Sequence, residues 1–243
     1  MLLYLRDVDP SQWGSIVTFL LTYLFPVVIL SLSVHEAAHA WTALKLGDDT
    51  PQKMGRVSLN PLHHLDPTGT LMMIFVGMGW GKPVQIDATK LKPSPQIGMA
   101  LVAVAGPLSN LILATLGGLI LRTHLVSFNA SKFFTLGGQN FYFSAGYFLE
   151  TFVVLNLGLM FFNLIPLAPL DGSRLWQILL PTKIYWQYAR LEIFAAFIVI
   201  GLVLADLYLN NGQFLSGLLT RPICGMWRFL VGFGTPDMCL SLR

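Results

Sequence analysis

Residues 13–34 form one nearly unbroken apolar run, and it ends in the string HEAAH at positions 35–39. About 20 mostly apolar residues are what a helix needs to cross a hydrocarbon core about 30 Å thick. The helical pattern continues through AWTALKL to Gly47, a residue type that commonly follows a helix C-terminus. At about 1.5 Å of rise per residue, a helix over 14–46 is roughly 50 Å long, so one end must emerge from the bilayer. The first span of this chain therefore carries two imidazoles and a carboxyl close to one of its ends.

Composition extends this to the whole chain. Of 243 residues, 54% are hydrophobic and only 11% charged, and the mean hydropathy is +0.64. Soluble domains average about 25% charged residues, so most of this surface must meet lipid. The expected fold class is an all-α polytopic membrane protein, its partner the lipid bilayer. A net charge of +3 is too small to suggest nucleic acid as a partner. Cys224 and Cys239 are the only cysteines; they form neither a disulfide framework nor a Cys-rich zinc module, and their pairing stays open. The first twelve residues set Arg6 against Asp7 and Asp9, with no basic leader and no small-residue cleavage site. The first span is expected to be retained.

Further segments follow. Residues 47–65 are polar and rich in turn formers. In DPTGT, Asp66 reads as an N-cap with Pro67 at the first helical position. The apolar stretch 70–80 is too short to span and predicts a re-entrant or interfacial piece. Residues 81–95 read as strand and turn. A second long apolar segment covers 96–122, with AGPLSN (105–110) inside it and Pro107 expected to kink it. Residues 123–140 read as a polar link. A third segment, 141–166, stops at NLIPLAPLDG (163–172); a short helix is expected at 173–180 and a fourth span at 187–209. Residues 213–233 read as a fifth span or as a helix lying in the interface. About four to six spanning helices result, in a core over 1–186 and a C-terminal pair of segments over 187–243.

Charge orients the spans. Lys45, Lys53, Arg56, Lys82, Lys90 and Lys92 lie between the first and second, and Arg174, Lys183 and Arg190 follow the third. The link between the second and third holds only Arg122, at its edge, and Lys132. The positive-inside rule then sets loops 47–95 and 167–186 in the cytoplasm. HEAAH and Asp171 fall at the cytoplasmic ends of their spans, at similar depth. Trp41, Trp80 and Trp186 are expected as interface anchors.

HExxH on a helix has a physical logic. Residues i and i+4 share a face, so His35 and His39 can converge on one zinc ion. Glu36 between them is placed to take a proton from the attacking water. The plainer reading makes all three interior polar groups that hydrogen-bond between helices. Charged groups inside a membrane are costly and usually functional, which favours the metal. Catalytic zinc keeps three protein ligands and one open position, so a third is needed. Asp171 matches in depth and sits in a Pro-rich turn; its other reading is an N-cap for the helix that follows.

With these strings in view, the chain resembles the site-2 protease family of intramembrane zinc metalloproteases. HEAAH, AGPLSN and NLIPLAPLDG occur in the family's order and spacing, and GRVSLNPLHHLDPTGT (55–70) resembles the segment after the active-site helix in small bacterial members. The resemblance covers roughly residues 14–175. It implies His35, His39 and Asp171 as zinc ligands and Glu36 as base. It sets Asn163 where the family has an active-site asparagine, as an oxyanion donor or a holder of the substrate strand; helix packing is the other reading. Asn110 also matches a family asparagine, with packing as its expected role, as for Gly106 and Pro107. His63, His64 and His124 are expected outside the site, with a supporting role for His64 left open.

The resemblance further implies a small membrane-associated sheet between the first two spans, for which RVSL and KPVQI are the candidate strands. No insertion of about 80–100 residues, the size of a small domain, separates the motifs, which sets the chain apart from the PDZ-containing and nucleotide-sensing branches. The expected function is hydrolysis, with one catalytic zinc ion, of peptide bonds in transmembrane segments of other proteins, in a bacterial or archaeal cell membrane. The rivals are a metal-binding transporter and an inactive scaffold. Substrate identity and homo-oligomerisation stay open.

Overall fold

A computed structural model describes residues 13–76, 81–136 and 139–232. The first span opens with α1 (Trp13–Phe19), passes through a π turn at Leu20–Leu24, and continues as α2 (Phe25–Lys45). It ends where Gly47 takes φ +110°, a conformation that favours glycine. The second span is α5 (Pro95–Arg122), preceded by the short helices α3 (Thr50–Lys53) and α4 (Pro67–Val76). The third is α6 (Ala145–Asn163), followed by α7 (Gly172–Trp176). These three described spans are long and apolar enough to cross a membrane.

Two helices follow, α8 (Thr182–Leu209) and α9 (Gln213–Val231). The stretch Phe197–Leu209 and α9 together pass the same test as a single broken span, bent by 101°. The described residues thus hold three spans, or four with the bent pair, and the count of four meets the low end of the expected range. The corner is fixed by Asp206, whose two carboxylate oxygens accept from the backbone N–H groups of Phe214 and Leu215. α9 does not stand alone. Its apolar face, with Trp227, Leu230 and Val231, packs on Ala114 and Leu121 of α5 and Val153 and Leu157 of α6. Glycines permit this: a Cβ at Gly117 would lie 2.9 Å from Val153, and one at Gly118 3.0 Å from Leu230. Small residues at membrane helix contacts let backbones close up in this way.

The small sheet lies elsewhere than the expected strands. RVSL forms an irregular bend, and KPVQI belongs to no ladder among the described residues; an isolated bridge nearby pairs Leu65 with Gly81. Instead β1 (Ser131–Leu136) and β2 (Gln139–Phe143) pair antiparallel, starting in the stretch expected to be a polar link and running into the first residues of the expected third span. The signal was present in the sequence: Gly137–Gly138 separates two aromatic-rich runs, which is hairpin chemistry. The hairpin is tied to the first span, because Tyr23 Oη accepts from Ser144 N–H at 2.8 Å and donates to the Tyr142 carbonyl at 3.4 Å.

The loop between the first two spans is anchored by a buried carboxylate. Asp48, 0% exposed, accepts from Thr50 N–H at 3.0 Å and from Asp87 N–H at 2.7 Å. This ties the segment 82–87, irregular in structure, to the end of α2. Asp66 caps α4 as expected, accepting from Gly69 N–H at 2.8 Å. Within the expected re-entrant segment, residues 77–80 lie outside the described residues, as do Trp80 and Cys239. Trp41 is exposed, with Lys45 Nζ 5.4 Å from its ring centre.

Candidate metal centre

HEAAH lies in the last three turns of α2. One helical turn brings the His35 and His39 rings to a centroid separation of 4.6 Å. Both are buried, at 4% and 7% exposure. Asp171 reaches them from the other side. It sits at the N-cap position of α7 yet makes no side-chain capping bond. Its carboxylate turns to the imidazoles instead, with Oδ2 at 3.2 Å from His35 Nε2 and 3.4 Å from His39 Nε2. The two Nε2 atoms are 3.0 Å apart. Gly172 permits this turn, since a Cβ there would lie 2.2 Å from the Leu164 carbonyl oxygen.

What lies behind the rings decides what the three atoms can do. His39 Nδ1 is 2.7 Å from the Val102 carbonyl oxygen, which only accepts. His35 Nδ1 is 2.6 Å from Asn110 Oδ1. Each neutral imidazole therefore carries its proton on Nδ1 and turns an Nε2 lone pair inward. Two lone pairs and a carboxylate oxygen then meet with no proton among them. Asp171 Oδ2 is buried and has no hydrogen-bond partner. Such a cluster repels itself unless a cation lies at its centre. Bonds of about 2.0–2.2 Å to a tetrahedral zinc put ligand atoms about 3.3–3.5 Å apart. The 3.4 Å separation falls in that range, and those of 3.2 and 3.0 Å lie just below it, so a small outward shift of the three atoms admits a zinc ion. Among the described residues these are the one group of three or more potential metal ligands within such reach.

α5 crosses directly against the pair, and its Gly106 faces the Nε2 edge of His39. A Cβ at Gly106 would lie 2.4 Å from His39 Nε2 and 2.6 Å from His35 Cε1. α5 also continues through Pro107, whose ring removes the helical bond to the Ala103 carbonyl.

The centre opens into a cleft of about 180 Å³ lined by Glu36, Val84, Ile86, Asn163 and Arg174, among others. Glu36 is half-buried on its wall. Asn163, the last residue of α6, is there too, and one amide hydrogen is committed to the Leu159 carbonyl at 2.9 Å. His64 is not in the cleft. It is 1% exposed in the core of the 47–95 loop and bonded through Nε2 to the Ser58 carbonyl at 2.7 Å. His63 is an exposed loop residue held by the Gly55 carbonyl. His124 lies at the other end of α5, beside Arg122 and Arg228. Sequence reasoning missed the Val102 carbonyl, which no residue type signals. It also missed Arg174 as a cleft residue, three positions from Asp171.

The profile of peptidase family M50, the site-2 protease family, matches residues 23–205. The chain belongs to this family. It is similar to "Putative zinc metalloprotease YwhC" of Bacillus subtilis (strain 168), with 39% identity over 174 residues, which is 71% of this chain and 76% of that protein. A shorter stretch, 91 residues at 33% identity, is similar to "Putative zinc metalloprotease Rip2" of Mycolicibacterium smegmatis and covers 36% of this chain and 35% of that one. No solved structure matches the chain. As a member of family M50 with apolar spanning helices, the protein is an intramembrane zinc metalloprotease with Zn2+ as its cofactor.

Proposed function

We propose that His35, His39 and Asp171 hold the zinc ion and that Glu36 of the HExxH string is the general base. The carrying observation is the meeting of two inward Nε2 lone pairs and an unpartnered Asp171 Oδ2 at 3.0–3.4 Å. When bound, the ion supplies Lewis-acid polarisation of the scissile carbonyl and a lowered pKa for the attacking water. Glu36 takes that water's proton on its carboxylate and delivers it to the departing amine. Asn163 keeps one amide hydrogen free of the Leu159 bond, and this hydrogen is available to an oxyanion or to a substrate carbonyl.

The substrate is a transmembrane segment of another protein, opened into an extended strand before cleavage. The cleft wall supports this reading. Val84 and Ile86 line it, and the backbone N–H groups of Val84, Gln85 and Ile86 have no hydrogen-bond partner among the described residues. Consecutive unpaired N–H groups along a cleft wall can hold an extended peptide by strand addition. The Lys and Arg bias of loops 47–95 and 167–186 supports a site near the cytoplasmic face of the cell membrane. Catalysis belongs to residues 1–186, and 187–243 flanks that core.

Metal analysis of the purified protein tests the ligand set. One zinc per chain is expected, falling to background in His39→Ala and in Asp171→Ala. Stoichiometric zinc in either folded variant contradicts the assignment.

A further inference from the structure

Behind the metal centre the two histidines are held by different means. His39 meets a backbone carbonyl, whose orientation is fixed. His35 meets a side-chain amide, which presents an acceptor on one side and donors on the other. The choice matters. An amide NH2 facing His35 Nδ1 would require Nδ1 to be the unprotonated nitrogen, and the proton would then sit on Nε2, where the metal must bind.

The structure shows what settles this choice. Asn156 on α6, 0% exposed, lies with Nδ2 at 2.8 Å from the Phe152 carbonyl of its own helix. A carbonyl only accepts, so Asn156 must turn its NH2 there and its Oδ1 the other way. That Oδ1 is 2.8 Å from Asn110 Nδ2 on α5. Asn110, also 0% exposed, is thereby obliged to turn its own Oδ1 to His35 Nδ1. The second hydrogen of Asn156 Nδ2 goes to Ser31 Oγ on α2, at 2.9 Å and one turn before His35. All of this is buried, where a mis-turned amide leaves polar groups unpaired with no water to satisfy them.

We propose that Asn156 is a positioning residue for the metal centre: the Phe152 carbonyl orients Asn156, Asn156 orients Asn110, and Asn110 holds His35 in its metal-binding tautomer. This rests on the ligand set proposed above. It also gives α6, which contributes no metal ligand, a direct hold on the site. Ser31 steadies the network without setting its direction, because the Phe152 carbonyl already does so.

Chelator-competition measurement of zinc affinity on the full chain in detergent tests this. Asn156→Leu is expected to weaken zinc roughly 10–100-fold, the scale seen when a partner behind a ligating histidine is lost. Ser31→Ala is expected to stay within about threefold of wild type, as its serine does not fix the amide's direction. The decisive variant adds Asn110→Asp to Asn156→Leu. Both carboxylate oxygens accept, so no orienting partner is needed, and zinc affinity is expected to return at least tenfold towards wild type. Wild-type affinity in Asn156→Leu, an equal loss in Ser31→Ala, or no recovery in the double variant overturns the proposal. Ser31→Ala, the least disruptive change, keeps the comparison open if the leucine variant fails to fold. His39→Ala separates the two readings: if it holds zinc as wild type does, the ligand set fails, and the tautomer relay with it.

Discussion

Gly106 of α5 and His39 of α2 approach so closely that a Cβ on Gly106 would lie 2.4 Å from His39 Nε2. Nothing flexible lies between them, since His39 is fixed behind by the Val102 carbonyl. Ala is ordinarily the better helix former by about 1 kcal/mol. Gly106→Ala is nevertheless expected to lower zinc affinity at least about 100-fold, some 2.8 kcal/mol, with helical content unchanged. Zinc titration beside circular dichroism checks this. Wild-type affinity would show that the two helices have room to part.

Removal of the metal should not unfold the protein. The helices are held by the apolar cluster around Trp227, Leu157 and Leu121 and by contacts of α5 with α2 and α6, not by the ion. A strong chelator is expected to abolish cleavage while leaving helicity intact, with activity returning on added zinc. Loss of helicity in step with zinc would contradict this.

Substrate holding by the segment 82–86 predicts a specific lesion. Proline at Val84 or at Ile86 removes one free N–H from the cleft wall without touching the metal ligands. Each substitution is expected to raise KM or lower kcat/KM about tenfold or more, with zinc content at wild-type level. Unchanged cleavage by a folded variant would rule out strand addition there.

The clamp on that segment has a defined pH window. Hydrogen bonds from Lys53 and then Lys90 hold the Asp49 carboxyl below its ordinary value, and bonds from Thr89 do the same for Asp87. The bond to Asp49 pushes the Lys90 ammonium up, against some desolvation. A depressed carboxyl contributes stability above its unfolded value, lost as pH falls through the folded one; a raised ammonium contributes below its unfolded value, lost as pH rises through the folded one. Loop 47–95 should therefore be best protected from hydrogen exchange between roughly pH 5 and 10. Protection that grows on acidification below about pH 4 would contradict this.

The sequence was most legible where chemistry and periodicity coincide. An apolar run into HEAAH, and Asp171 after a Pro-rich turn, can be read as a set because span length and metal-ligand type each limit the choices. His35, His39 and Asp171 do meet in the structure. The direction of the Asp171 side chain was not legible: it occupies an N-cap position, and only the fold reveals that it makes no capping bond. Asn156 gave no signal, since a lone asparagine in an apolar helix does not announce what it orients. The strands at 131–136 and 139–143 were legible but outweighed by their polar surroundings, whereas KPVQI alternates like a strand and finds no strand partner among the described residues.

The most direct test of the catalytic assignment is Glu36→Gln, assayed for zinc content and for cleavage of a membrane-embedded substrate. Gln is isosteric and lines the same cleft, so one zinc per chain is expected to remain. It cannot take a proton, so cleavage is expected to fall at least about 1,000-fold, near the upper part of what a positioned base contributes. Cleavage at wild-type rate by the zinc-loaded variant would show that Glu36 is not the base.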